Sequence, residues 1–260
     1  MRDVGEEQPM RLRRWVAMFL LLMGLGGLYS TGWAQEDHGE GENMEEKIQK
    51  SLAEAGIRVS ADEVAAARKD MEEQAEWMKS DMPEEIWRTL AGRYQSEEQW
   101  IQTVLLNAGM GKWDEETGEW SPTSQDVYAF DAEVMDIERM YTHFLRGVQA
   151  IAADVTLSNI QEDLSQVTDE MANLDNPSLP STNGKRSVSF ELNGHAYEVE
   201  LESYGDWINM EIVNFVNQAL EKEGASGRLY VVGHGMDQMV IMIYGSKDKA
   251  EALSELLDME

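Results

Sequence analysis

The stretch Arg186 to Leu201, RSVSFELNGHAYEVEL, decides how this chain folds. Val188, Phe190 and Leu192 alternate with Ser187, Ser189 and Glu191, and Tyr197, Val199 and Leu201 alternate with Ala196, Glu198 and Glu200. A period of two predicts a pair of half-buried strands. Asn193-Gly194 between them tolerates the positive φ angles of a type I′ turn. A two-residue loop fixes the register, setting Leu192 opposite His195, Phe190 opposite Tyr197 and Val188 opposite Val199. Every large apolar side chain then falls on one face of the ribbon, and that face requires a cover.

The next segment supplies one. Asp206 is a suitable N-cap, and Trp207 to Lys222 carries Ile208, Ile212, Phe215, Val216, Ala219 and Leu220 at helical spacing. Gly224 can end that helix in the left-handed conformation. A second round follows: a strand from Arg228 to Val232, a turn from Gly233 to Asp237, and an apolar strand from Gln238 to Tyr244. Ser246 then caps a helix with Ala250, Leu253 and Leu257 inward. The fold class expected is α+β, with an N-terminal helical subdomain ahead of a C-terminal antiparallel sheet. That sheet is built from strand-strand-helix repeated twice, with its helices on one face. Met239 to Tyr244 is apolar nearly throughout, which places it at the centre of a sheet, where both faces can be covered.

The chain begins with Arg11, Arg13 and Arg14 ahead of an apolar run from Trp15 to Tyr29, then Gly32-Trp33-Ala34. This pattern reads as a secretory signal over residues 1–34, cut after Ala34, because the run falls short of the roughly twenty apolar residues of a spanning helix. After cleavage no stable membrane span is expected. Residues 35–43 are polar and acidic and read as a disordered leader. An exported chain with no cysteine relies on burial alone for its stability and suits a bacterial cell surface, so the expected location is secreted or extracytoplasmic.

Charge is the extreme global feature: 21 Lys and Arg against 50 Asp and Glu, a net charge of −29. Such a surface repels phosphates and excludes nucleic acid as a partner, while favouring cationic partners, divalent cations or simple solubility.

Residues 44–172 read as mainly helical. Met44 to Ala55 forms a first helix. Ser60 with Glu63 makes a capping box for a second, with Val64, Met71, Ala75 and Met78 in its stripe. Pro83 starts a third, with Ile86, Trp87 and Leu90 inward, and Ser96 caps a fourth. Gly109-Met110-Gly111 ends that series, and residues 112–120 form a tight hairpin on which Trp113 and Trp120 pair. Val127 to Val134 alternates as a strand. Asp136 caps a helix carrying Ile137, Met140, Tyr141, Phe144, Leu145, Val148 and Ile151, and a further helix is expected from Asn159 to Met171. Residues 173–186 hold Pro177, Pro180 and Gly184 and read as a linker to a ββα-ββα domain over 187–260. In a second arrangement the strand 127–134 joins the C-terminal sheet.

No motif with a mechanism appears. Gly-x-Ser-x-Gly, His-Glu-x-x-His and a phosphate-binding glycine loop are all missing, and Ser246 of Ser246-Lys247-Asp248-Lys249 serves as a helix cap. Asp114 to Gly118 resembles a calcium loop only in acidity, since the sixth and twelfth positions from Asp114 hold Glu119 and Gln125. No cofactor is expected beyond weak calcium binding by clustered carboxylates. The residues singled out for ligand binding are Trp113 and Trp120 on the small hairpin, His195 and His234 beside turns, and Asp206 with Trp207. The expected function is an exported, non-enzymatic binding module for an extracellular protein or glycan. The alternatives are a carboxylate-dependent hydrolase and a calcium-responsive surface protein.

Overall fold

The computed structural model describes residues 43–257, apart from 95, 115–116, 118–119, 135, 169–182 and 234–237. The signal sequence read over 1–34, the leader over 35–42, most of the proline-containing linker and His234 lie outside the described residues. Four helices come first: α1 (Met44–Glu54), α2 (Ala61–Asp81), α3 (Glu84–Tyr94) and α4 (Glu97–Gly109). The capping box forms as its residues predict. Ser60 Oγ accepts the Glu63 N–H, and Glu63 Oε2 accepts the Ser60 N–H at 2.7 Å. Val64, Met71 and Met78 are buried, whereas Ile86, expected inward, is exposed.

A short ladder of β1 (Lys112–Trp113) and β2 (Trp120–Ser121) follows, then β3 (Val127–Asp131), a 3₁₀ turn (Ile137–Arg139), α5 (Met140–Ile151) and β4 (Leu157–Val167). Beyond these lie β5 (Gly184–Leu192), β6 (His195–Glu202), α6 (Glu211–Lys222), β7 (Arg228–Gly233), β8 (Met239–Gly245) and α7 (Lys247–Leu256). The class is α+β. The β5–β6 hairpin has the register read from its turn, with Leu192 opposite His195, Phe190 opposite Tyr197 and Val188 opposite Val199. Asn193 and Gly194 take φ of 52° and 85°.

Two three-stranded antiparallel sheets stand in place of the expected four-stranded one, in orders β3-β8-β7 and β4-β5-β6. The physical reason lies in how many faces each strand buries. β8 is apolar on both faces and occupies the centre of its sheet, and its partner β3 is likewise apolar on both, with Val127 and Ala129 on one side and Tyr128 and Phe130 on the other. β5 and β6 bury one face only, and β5 pairs along its other edge with β4, which alternates in the same way. The helix expected from Asn159 to Met171 is therefore a strand over 157–167. Its Ile160 and Leu164 fit a helical spacing and an alternating one equally well.

Helices α5 and α6 lie between the two sheets: α5 packs on β3, β8 and β4, and α6 on β7 and β6. The layer between the sheets buries Phe144, Val148, Phe190, Leu192, Ile212 and Val216 among others. The far face of β3-β8-β7 is covered by α1, α2, α4 and α7, around Leu52, Val104, Ile241 and Leu253. Each core draws residues from both sides of the 173–186 segment. Asp136 does not cap α5. Its carboxylate instead accepts from Arg139 Nε at 2.8 Å and meets His143 Nε2 at 3.1 Å, and Ile137 is exposed ahead of the helix proper.

Candidate functional site

The turn after β6 is stitched to the end of β3. Ser203 N donates to Gly184 O at 2.9 Å, prolonging the β5–β6 ladder, and Gly205 takes φ +71° to reverse the chain. Val134 N then donates to Asp206 O at 2.7 Å, and Ile208 N to Ala132 O at 2.8 Å. Trp207 bridges to Glu133 and to Tyr204. Ala132 N in turn reaches Gln238 O at 2.7 Å. Segments 131–134, 203–208 and residue 238 so meet at one end of the β3-β8-β7 sheet.

Asn209 holds this turn to the core. It is buried, its N–H donates to Tyr141 Oη at 3.1 Å, its Nδ2 to Glu202 O at 3.1 Å, and its Oδ1 accepts from Glu211 N at 3.0 Å. Met210 is the N-cap and makes no side-chain cap bond, so the Glu211 N–H is met by Asn209 one residue ahead rather than by the expected cap Asp206, and α6 starts at Glu211. Trp207 leaves the helix for the turn as a result. It is 37% exposed and Tyr204 38%, while Ile208 between turn and helix is buried.

Three carboxylates, Asp131, Glu133 and Asp206, lie on these joined segments. Asp131 Oδ1 accepts from Glu133 N at 2.9 Å, and Glu133 Oε2 accepts from Gln238 Nε2. Burial pushes the Asp131 carboxyl above the usual range, and the charges of Glu133 and Asp206 push it further. Among the described residues no Lys, Arg or His pairs with Asp131, Glu133 or Asp206. Among the described residues no group of three or more His, Cys, Asp or Glu side chains is placed to hold a metal ion.

Of the residues singled out from sequence, Asp206 and Trp207 come together here. Trp113 stands opposite Trp120 in the β1–β2 ladder. Trp120 is buried, donates from Nε1 to Met110 O at 2.8 Å and packs edge-on to Tyr128 with centroids 5.6 Å apart, so it belongs to the core. His195 is exposed at the hairpin tip, with Nδ1 2.9 Å from Glu223 Oε2, and Glu223 Oε1 accepts from Tyr197 Oη. Hydrogen bonds from Tyr197 and His195 hold the Glu223 carboxyl below its usual range, while burial and that carboxylate push Tyr197 up to about 12. A carboxylate at the C-terminus of α6 opposes the helix dipole, and these donors compensate for it while fastening the hairpin tip to the helix. Tyr204, Asp131, Glu133 and Gln238 were not singled out from sequence. The signal available was Gly205 set between Tyr204 and Asp206-Trp207, a turn glycine between two aromatic residues.

Comparison with protein-family models, with curated proteins and with solved structures gives no match. No described helix is long and apolar enough to cross a membrane.

Proposed function

We propose that this chain is an exported, non-enzymatic binding module whose Tyr204–Trp207 edge takes a basic segment of a protein partner. One observation carries the reading: two aromatic rings, each more than a third exposed, stand on a tethered turn beside carboxylates that no described cation neutralises. A lysine or arginine laid over an indole or phenol face contributes about 0.5–2 kcal/mol, and carboxylates at the rim add attraction and faster encounter. The net charge of −29 favours the same partner. Export is supported by the basic residues, apolar run and Gly32-Trp33-Ala34 at the start of the chain.

The test is fluorescence anisotropy of labelled lysine-rich and glutamate-rich peptides against the chain at rising ionic strength. The lysine-rich peptide binds and weakens with salt, and the glutamate-rich one does not bind. Equal binding of both peptides would overturn the proposal. Salt-insensitive binding of a sugar, with neither peptide bound, would put a glycan in place of the basic segment.

A further inference from the structure

The two sheets have four edge strands, and three of them are closed. Asn217 on α6 closes β7, its Oδ1 accepting from Leu229 N at 2.7 Å and its Nδ2 donating to Leu229 O at 2.9 Å. Gly109 at the end of α4 lies against β3 so tightly that an added Cβ would stand 2.7 Å from Ala129 N. β4 is broken by register shifts between Ser158 and Gln161 and between Asp163 and Gln166, with Asn159 at φ 51°, and Gln149 Oε1 takes its Leu157 N–H. Bulges and caps of these kinds keep a strand from pairing further.

β6 differs from all three. The two-residue turn makes Leu192 and His195 a hydrogen-bonded closing pair, so His195, Tyr197, Val199 and Leu201 exchange bonds with β5. The N–H and C=O groups of Ala196, Glu198 and Glu200 therefore point away from the sheet, and among the described residues no hydrogen bond reaches them. The register is unbroken along the whole strand. Val199 is only half-buried where its β5 partner Val188 is fully buried, which leaves apolar surface along the edge, and Tyr197, also half-buried, has Lys222 Nζ 5.2 Å from its ring centroid and its hydroxyl on Glu223. On the other face Glu198 and Glu200 are exposed. Glu200 meets only the exposed Lys185 at 3.4 Å, and Glu198 accepts from Ser187 Oγ.

We propose that β6 accepts a further strand from a partner whose residues alternate between basic and apolar. Backbone bonds to Ala196, Glu198 and Glu200 hold it, its apolar side chains pack on Val199 beside the Tyr197 ring, and its lysines or arginines face Glu198 and Glu200. A second copy of this chain is disfavoured in that place, because β6 against β6 sets glutamate against glutamate. The proposal rests on the reading of the Tyr204–Trp207 edge as the surface for a basic segment, since β6 runs directly into that turn.

The experiment measures amide hydrogen exchange of the chain with a short acetylated peptide of alternating lysine and valine. Exchange at Ala196, Glu198 and Glu200 slows by about tenfold or more when these amides enter a ladder. The doubly substituted chain Glu198→Lys, Glu200→Lys reverses the preference towards a glutamate–valine peptide, and both positions are exposed, so the fold tolerates the change. Unchanged exchange at the three amides, with peptide perturbing Tyr204 and Trp207, would overturn strand addition and leave the edge reading standing. Slowed exchange together with binding that survives Trp207→Ala would confirm strand addition and overturn the edge reading. No perturbation at either place would overturn both.

Discussion

Arg186 Nη1 on β5 lies 2.9 Å from Glu162 Oε2 on β4, with the two side chains 1% and 3% exposed. Glu162 Oε1 also accepts from Thr142 N at 2.7 Å and Thr142 Oγ1 at 2.8 Å, and Arg186 donates to Ile137 O and stands 5.6 Å from the Tyr141 ring. The pair joins two strands to the start of α5. Removing one partner leaves the other charge buried, so Arg186→Met or Glu162→Gln alone costs about 3–5 kcal/mol in urea unfolding. Arg186 Nη2 is buried with no hydrogen-bond partner among the described residues. The double variant Glu162→Leu, Arg186→Met therefore recovers most of the loss, since an incompletely satisfied ion pair gives little over an apolar pair. A double variant as unstable as the singles combined would show that the pair contributes net stability.

The same pair explains where the fold was hidden in the sequence. Glu162 occupies an inward position between Ile160 and Leu164, and Arg186 occupies the inward position before Val188, Phe190 and Leu192. A charged residue at each interrupts the apolar alternation by which strands are recognised, and so Ile160 and Leu164 read as a helix and Arg186 as a linker end. Neither residue announces that its charge is met by one 24 positions away. The β5–β6 hairpin, by contrast, was legible to the residue, because Asn193-Gly194 fixes register locally. At the candidate site, Asp206 and Trp207 were visible as residues worth attention, but their setting was not. Asp131, Glu133 and Gln238 reach them only through the pairing of β3 with β8 and of Glu133 with Trp207, and contacts so distant in sequence leave no periodic signal.

Gly147 on α5 faces the Tyr128 ring so closely that an added Cβ would stand 2.2 Å from Cζ. Tyr128 is held by stacking on Phe130 at 5.0 Å and by the edge of Trp120, so it has little room to move. Gly147→Ala gains about 1 kcal/mol of helix propensity and loses about 1–3 kcal/mol to overpacking, a net destabilisation. Thermal unfolding reads it, and a raised melting temperature would contradict the packing described.

Asn217→Ala removes both hydrogen bonds that close the edge of β7. Each contributes about 0.5–1.5 kcal/mol, so unfolding in urea shows a loss on the order of 1–3 kcal/mol. The variant also gains a tendency to self-associate in light scattering, because an open edge recruits strands. A variant as stable and as monodisperse as the parent chain would count against a capping role.

Asp131 is held above the ordinary carboxylate range, so the folded chain binds that proton more tightly than the unfolded chain does. Stability tied to this group is highest below the unfolded value and falls as pH rises through the folded value. Asp131→Asn, whose Oδ1 still accepts the Glu133 N–H, removes that cost and raises the melting temperature at neutral pH, with no gain in acid below the carboxylate range. Binding of a lysine-rich peptide follows the opposite course. It weakens as acid first protonates Asp131, and it is weaker to the Asn variant at neutral pH. A melting temperature lowered at neutral pH, or peptide binding indifferent to the substitution, would contradict the electrostatic picture.

Titration calorimetry of the lysine–valine peptide into the chain, its Trp207→Ala variant and its Trp77→Ala variant tests the binding edge most directly. Trp77 is 39% exposed on α2 and Trp207 37% exposed on the turn, so the two substitutions remove equally accessible indoles from different surfaces. The expected result is a loss of at least about tenfold in affinity for Trp207→Ala, the size of an interface residue contributing more than 1 kcal/mol, with Trp77→Ala unchanged. Equal affinities in all three proteins, or the same loss from either tryptophan, would contradict the assignment of the Tyr204–Trp207 edge.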